Sequence, residues 1–384
     1  MPQYLLLLGN TPDLSWLELS STVDQADIER WGEHLAAIEL ESDRLAAQLL
    51  RVLGGTFKIM KVVFPLDSNP PQAYQQINSY LKNRSEKPTF ALTGIGELSE
   101  VYYPQKLKQL LKADGVSSRY REGDQWGASA AILSHESEVI DLLVINYQDQ
   151  HYLTETAAVQ DVDQWVSRDR DKPYAAGRKG MLPPKLARMM VNVGLGRINL
   201  KDKKTNQQPV LYDPFCGTGT VLIEGLVRGC EVVGSDMDHD AVAGTLENLY
   251  WLEDKYDKQF KYQVFQSDAA HIDKRDWQTK VDLIVTEPFL GKPNPKNKEL
   301  DNVFKGLTSL YLGAFKTWAR VLNPGAVVVI IFPFVEVENH RFDLTGLIDK
   351  LEKYRYTLEV KPEEYFRERA KVKREIRVFR YGQA

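Results

Sequence analysis

The chain has two cysteines in 384 residues, Cys216 and Cys230, and six histidines scattered along it. Two cysteines cannot make a disulfide framework or the usual multi-cysteine zinc site, so no metal is called for and a reducing, cytoplasmic compartment is expected. Long hydrophobic runs are missing too. The longest, AVVVIIFPFV at residues 326–335, falls far short of the roughly 18 residues a membrane span needs. The opening MPQYLLLLGN has no basic stretch before its short apolar run, which argues against a signal peptide. No membrane partner is expected. Neither sign of charge dominates: 49 Lys plus Arg against 53 Asp plus Glu give a net charge of -4. That excludes a generic cationic nucleic-acid coat and leaves local patches to be weighed separately.

What is present is ordinary for a globular chain: 43% hydrophobic and 27% charged residues, with 25 glycines and 18 prolines dispersed. At roughly 100 to 200 residues per domain, two or three domains are expected. Residues 1–60 read as a small α+β unit. An apolar run at residues 4–8 gives a strand, TPDLSWLEL a helix capped by Thr11, EHLAAIEL a strand, DRLAAQLLRVLGG a helix closed by Gly54 and Gly55, and TFKIMKVVF a strand. Residues 61–165 repeat that grammar. NPPQAYQQINSYLK and YYPQKLKQLLKADG predict helices, while PTFALTGI, SSRYRE, SAAILS and DLLVINY predict strands. SRDRDKPYAAGRKG, at residues 167–180, is polar and rich in breakers, so the major boundary is expected there, with residues 166–180 as a linker. From Met181 onward strands and helices alternate regularly, the signature of a mostly parallel sheet.

The strongest local signal is PVLYDPFCGTGTVLIEGLVRGCEVVGSDMD. A short strand at residues 210–212 ends in Asp213, a tight loop holds Phe215, Gly217 and Gly219, a helix follows at 220–228, and a second strand at 231–234 leads to Asp236. A P-loop needs a lysine after its last glycine to meet phosphates, and none stands here. A dinucleotide fingerprint wants a third glycine where this chain has Leu222. An acid followed by two glycines suits a cationic, phosphate-free ligand, and S-adenosylmethionine, with its sulfonium and α-ammonium groups, is one. In that reading Gly217 and Gly219 let the backbone approach the ligand, Asp213 lies near the ammonium, and Asp236 accepts both ribose hydroxyls. Asp268, in FQSDAA after a third strand at 262–265, is a candidate acceptor for the adenine amino group, its other reading being a helix N-cap.

DPFCGTGT resembles the first motif of class I methyltransferases that act on exocyclic amines of nucleobases. RKGMLPPKLARMMVN, at residues 178–192, is similar to the segment ahead of that motif in the archaeal and eukaryotic tRNA guanosine-10 N2-methyltransferases, and ETAAVQDVDQWVSRDRDKPY resembles that family's connection out of its THUMP domain. The resemblance implies an α/β chain in three parts. These are a ferredoxin-like α+β unit at residues 1–60, a THUMP-like RNA-binding domain at 61–165, and a Rossmann-like methyltransferase domain at 166–384 whose mostly parallel sheet ends in an antiparallel strand. It further implies S-adenosylmethionine as cofactor and tRNA or another structured RNA as partner; the sequence does not decide between a small activator subunit, a homodimer and neither. From the residues alone, Pro183 and Pro184 suit a first helical turn, and Leu186, Met189, Met190 and Val193 recur at helical spacing as a core stripe.

In a doubly wound sheet, chemistry sits at the carboxyl ends of the central strands. The fourth strand, at residues 281–285, runs into Thr286, Glu287, Pro288, Phe289, Leu290 and Gly291. In the amine methyltransferases this chain resembles, an acid or Asn, two prolines and an aromatic residue stand there. The lone pair of a nucleobase amine is delocalised into the ring, so acceptors must hold its N–H groups and align it, while an aromatic face stacks on the extruded base. Here the pattern departs. In one register Glu287 replaces the acid, with Phe289 in place of the second proline; shifted by one, Phe289 fills the aromatic slot and Thr286 the acid's. No metal and no covalent enzyme intermediate is expected. The implied activity is methyl transfer to an exocyclic amine of RNA, guanosine N2 in tRNA. A DNA methyltransferase acting on adenine N6 or cytosine N4, or an inactive RNA-binding homologue, are the alternatives.

Local charge qualifies the global sum. Residues 168–188 hold seven basic and two acidic residues, and residues 365–380 hold the same numbers. From these segments Arg168, Arg170, Arg178, Lys179, Arg369 and Lys371 are candidate phosphate contacts, with Tyr174 and Phe366 for stacking, and Lys106, Lys108, Lys112, Arg119 and Arg121 form a third, weaker cluster.

Overall fold

The computed structural model describes residues 3–175, 181–198, 208–272, 280–365 and 370–382. Two compact units emerge, one of Met1–Pro12 with Asp24–Gln164, the other of Asp13–Val23 with Trp165–Ala384. The first is an α+β unit around a single sheet. Its strands are β1 (Gln3–Leu8), β2 (Ile28–Arg30), β3 (Leu35–Glu39), β4 (Thr56–Pro65), β5 (Thr89–Gly94), β6 (Arg119–Tyr120), β7 (Val139–Tyr147) and β8 (Gln150–Val159), in the order β2-β3-β1-β4-β8-β7-β5-β6. β4 crosses residue 60, so the two expected N-terminal parts share one sheet rather than dividing there. Helices α2 (Asp43–Val52), α3 (Pro70–Arg84), α4 (Pro104–Ala113) and α5 (Ala130–His135) complete the unit. SAAILS, expected as a strand, is α5: the Ser129 hydroxyl accepts the Ile132 N–H at 3.3 Å, and that cap outweighs the apolar run.

Helix α1 (Pro12–Thr22) lies in the N-terminal sequence but packs in the second unit. Leu14 and Leu17 join that unit's core, and Asn192 donates to the buried Glu18 carboxylate at 2.6 Å. The unit's remaining helices are α6 (Val162–Arg170), which begins just before the unit boundary, α7 (Pro184–Leu195), α8 (Thr220–Val227), α9 (His239–Tyr256), α10 (Leu300–Trp318) and α11 (Ile348–Glu352). Its strands are β9 (Val210–Asp213), β10 (Glu231–Asp236), β11 (Tyr262–Gln266), β12 (Val281–Thr286), β13 (Leu322–Val337), β14 (His340–Phe342), β15 (Tyr356–Leu358), β16 (Glu363–Tyr365) and β17 (Lys373–Tyr381). The main path runs β11-β10-β9-β12-β13-β17-β15. Its first five strands are mutually parallel, and β17 is antiparallel to both neighbours, the expected Rossmann-like arrangement with a reversed closing strand.

Strands of such a sheet are buried on both faces, and the alternation is visible. Leu211, Leu283, Val285 and Val329 face the core shared with α7, α8 and α9, while Tyr212, Ile284, Val328 and Ile330 face Phe315 and Trp318 of α10. No helix among the described residues is long and apolar enough to cross a membrane.

A buried carboxylate holds the helices around the glycine loop. Arg168 of α6 donates to Glu224 of α8 at 2.9 Å, and Arg188 of α7 meets the other oxygen at 2.5 Å. Beside them Lys172 donates to Thr220 at 3.0 Å. Arg168 is only 3% exposed, so it serves this core and is withdrawn as a phosphate contact. The residues expected as an irregular linker from 167 are helical through Arg170. Glu224→Ala leaves two guanidinium groups buried without their carboxylate, and should destabilise the second unit by about 3–5 kcal/mol in urea unfolding followed by circular dichroism.

Candidate functional site

Parallel register brings the carboxyl ends of β9, β10 and β12 to one edge of the sheet. Gly234 pairs with Asp213 and Ile284 with Tyr212, so Asp213, Asp236 and Thr286 end their strands within a residue or two of one level. From Asp213 the chain turns through the glycine loop into α8. Gly217 and Gly219 have φ of +53° and +76°, the left-handed region that glycine enters without strain. A Cβ on Gly219 would stand 2.9 Å from Thr245 Cγ2, whereas one on Gly217 would meet nothing nearer than 3.9 Å. The loop is therefore packed against α9 on one side and open at Gly217.

Its outline is held by hydrogen bonds from both flanks. The Cys216 N–H donates to the Ser235 carbonyl at 2.9 Å. Thr245 donates to the Gly217 carbonyl at 2.8 Å, and Asn248 to the Thr218 carbonyl at 2.8 Å. Asn248 also clasps both backbone groups of Tyr174, whose ring lies where a Cβ on Gly244 would be, 2.1 Å away. Tyr174 is thus wedged against α9, which does not agree with the stacking role expected for it. Asp236 accepts the Gly217 N–H on one oxygen and the Asp238 N–H on the other, each at 3.0 Å, so its carboxylate is oriented by the backbone at the loop's mouth.

Asp213 lies beneath the loop, 2% exposed. One oxygen accepts the Phe215 N–H at 3.1 Å and the Thr286 hydroxyl at 2.6 Å. Burial pushes its pKa up to about 7 against the pull of those two bonds, and the charges of Asp236 and Glu287 push the same way. Thr286 is the residue through which the loop after β12 is tied to the glycine loop.

Beyond Thr286, Glu287 accepts from Arg374 Nε of β17 at 2.5 Å. Pro288 is buried, Phe289 is 60% exposed, and the backbone carbonyl of Phe289 accepts from Tyr311 of α10 at 3.4 Å. An acceptor and an aromatic face thus stand together at the edge that carries Asp213 and Asp236. Arg374 was absent from the sequence-derived candidates. Asp268 lies past the end of β11, next to β10, where the Ser267 N–H donates to the Asp236 carbonyl at 2.9 Å. Its oxygens accept the Ala270 N–H at 2.9 Å and meet His271 Nδ1 at 2.7 Å, and the backbone bond lowers its pKa. Its present partners therefore belong to its own turn, as in the capping reading.

Among the basic candidates, Arg170 and Arg119 are exposed, while Arg121 pairs with Glu136 at 2.6 Å and Lys106 sits 4.3 Å over the Tyr74 ring. Lys371 donates to the Pro295 carbonyl and Asn297 at 2.6 and 2.8 Å, fastening the loop after Gly291. Arg178, Lys179, Phe366 and Arg369 lie outside the described residues.

The Asp213 shift has a direction in stability. The folded carboxyl keeps its proton up to about pH 7, whereas an unfolded one releases it near 3.8, so stability falls as pH rises through that window and the loss is complete above it. Asp213→Asn keeps an oxygen for Thr286 and Phe215 without the charge. Its melting temperature should exceed that of the parent at pH 8, the gap closing toward pH 4 in differential scanning calorimetry.

Sequence and fold comparisons agree with this geometry. Residues 175–336 match the family described as RMKL-like, methyltransferase domain. The tRNA (guanine(10)-N2)-dimethyltransferase of Methanothermobacter thermautotrophicus is 37% identical over 205 residues, 53% of this chain and 51% of that one, so the chain spans about half the length of this relative. A probable tRNA (guanine(10)-N2)-dimethyltransferase of Methanothermococcus thermolithotrophicus is 38% identical over 125 residues, 32% of this chain and 70% of that one. The crystal structure of TrmN from Thermus thermophilus shares the fold over 99% of both chains with a TM-score of 0.56 at 15% identity. With the reversed closing strand and the glycine loop in place, and the Methanothermococcus relative 38% identical over 70% of its length, the chain belongs to the family of that probable tRNA (guanine(10)-N2)-dimethyltransferase.

Proposed function

We propose that this chain is a cytoplasmic S-adenosylmethionine-dependent methyltransferase acting on guanosine N2 in tRNA. The observation that carries the reading is the 2.6 Å bond from Thr286 to Asp213, which fixes the Glu287–Phe289 segment against the glycine loop. The residues present fit the cofactor's chemistry. A buried carboxylate with a raised pKa is relieved by a nearby cation, an oriented carboxylate at Asp236 suits a pair of hydroxyls, and the loop FCGTG holds no basic side chain for phosphate. Asp213, Phe215, Gly217, Gly219 and Asp236 would hold the cofactor, with Asp268 next to the same strand end. When bound, it supplies a methyl group whose C–S bond breaks toward sulfur as the amine nitrogen forms the new N–C bond and sheds a proton.

The chain's own residues do the rest. Glu287 accepts an amine N–H and aligns the lone pair, and its carboxylate takes the released proton. The backbone at Pro288 accepts the second N–H, and the exposed Phe289 ring stacks on the extruded base. The N-terminal unit acts as a THUMP-type RNA-binding domain through Lys106, Arg119 and Arg121, joined by Arg170, Lys179, Arg178, Arg369 and Lys371 of the catalytic unit as phosphate contacts.

Labelled methyl from S-adenosylmethionine should enter unmodified tRNA. Glu287→Ala should lower kcat about 100-fold while cofactor affinity by calorimetry stays unchanged. Transfer to DNA alone would make the chain a DNA amine methyltransferase, and RNA binding without transfer to any nucleic acid would make it an inactive homologue.

A further inference from the structure

The ion pair between Glu287 and Arg374 joins residues that the sequence separates by 87 positions. Register explains how they meet. Thr286 is level with Ile330 of β13, Ile330 with Arg377 of β17, and Pro333 with Arg374, so Arg374 stands three residues beyond the end of β12 on the far side of β13. It reaches back across β13 to the segment after β12. Both side chains are about 15% exposed, at 16% and 14%, so the pair is desolvated enough to be directional yet open to a ligand. Aspartate, one methylene shorter, would reach less far toward this guanidinium.

Building on the proposed guanosine activity, we infer that Arg374 is the base-reading residue of this site, forming with Glu287 a donor–acceptor edge complementary to the Watson–Crick edge of guanine. That edge runs acceptor, donor, donor: O6, N1–H and the N2 amine. The Arg374 pair engages Nε, and the guanidinium's terminal nitrogens carry four further N–H donors for O6. A carboxylate has about four lone-pair sites, enough for Glu287 to accept N1–H and N2–H alongside the Arg374 N–H. Adenine offers the reverse order, a donor at position 6 and an unprotonated N1. It would set its amine against Arg374 and its N1 lone pair against Glu287. The pair therefore admits guanine and rejects adenine, and it positions the N2 amine rather than any other toward transfer. Holding Glu287 by an ion pair also fixes the rotamers of its extra methylene, which a free glutamate would lose on binding.

The test uses the full chain and a tRNA transcript. Mass spectrometry of a methylated transcript identifies the modified nucleotide, and RNAs are then assembled with guanosine, 6-thioguanosine or 2-aminopurine there. 6-Thioguanosine keeps N1–H and N2 but has a weak acceptor at position 6. Parent protein should favour guanosine over 6-thioguanosine at least about tenfold, both in kcat/KM and in equilibrium RNA binding without cofactor, as expected for a hydrogen bond from a charged donor. Arg374→Ala should bring that ratio close to one while cofactor affinity and melting temperature hold, and Arg374→Lys should keep part of the preference. 2-Aminopurine, which also lacks N1–H, should be discriminated by Arg374→Ala through Glu287 alone. An unchanged guanosine to 6-thioguanosine ratio in Arg374→Ala, or label on adenine N6, overturns the inference while the methyltransferase reading stands. A parent protein that methylates no RNA overturns both.

Discussion

A carboxylate buried under a loop is the constraint on which the site rests. Asp213 ends the first strand of the second unit's sheet, and Thr286, which donates to it, ends the fourth. Because those strands are parallel neighbours, one hydrogen bond sets the distance between the loop suited to a cofactor and the loop suited to a base. The burial that makes the bond effective raises the carboxyl pKa to about 7. A polar group held at the expense of stability, at the carboxyl edge of a doubly wound sheet, is what a site tuned for binding rather than folding looks like.

The support behind this edge is of a different kind. Glu224, one helix turn past the glycine loop, is met by Arg168 and Arg188, and Trp165 lies beneath both guanidinium groups, their centres 4.4 and 5.4 Å from its ring. These arginines contribute to the local positive charge of residues 168–188, yet they are interior. Counting charge along a sequence cannot separate a phosphate-binding stripe from a buried ionic cluster, because both need arginine and differ only in what covers it. Arg170, two residues from Arg168 and on the other side of α6, is exposed. The helical period, applied to that short segment, is the signal that would have divided them.

Much of the second unit was legible because its signals are local. Glycines in the left-handed region, prolines opening α7 and apolar runs bounded by acids mark β9, β10, β12 and the loop between them without knowledge of the rest. What was illegible depends on pairing across the chain. SAAILS contains a strand-like run but starts with a capping serine. β4 crosses the expected domain division because its partners β1 and β8 come from both sides of it. Helix α1 carries no mark that it packs with a residue 174 positions away, where Asn192 donates to Glu18.

The departure at Glu287 follows the same logic. Read alone, replacing a shorter acid by glutamate and a proline by phenylalanine loosens a motif whose purpose is to hold an amine in one orientation. In the fold, Arg374 pairs with Glu287 from another strand, and Tyr311 donates to the Phe289 carbonyl from α10. A short, stiff motif and a longer one braced by neighbours are two solutions to one geometric demand. The second leaves its trace in an antiparallel partner, where no pattern confined to six consecutive residues could register it.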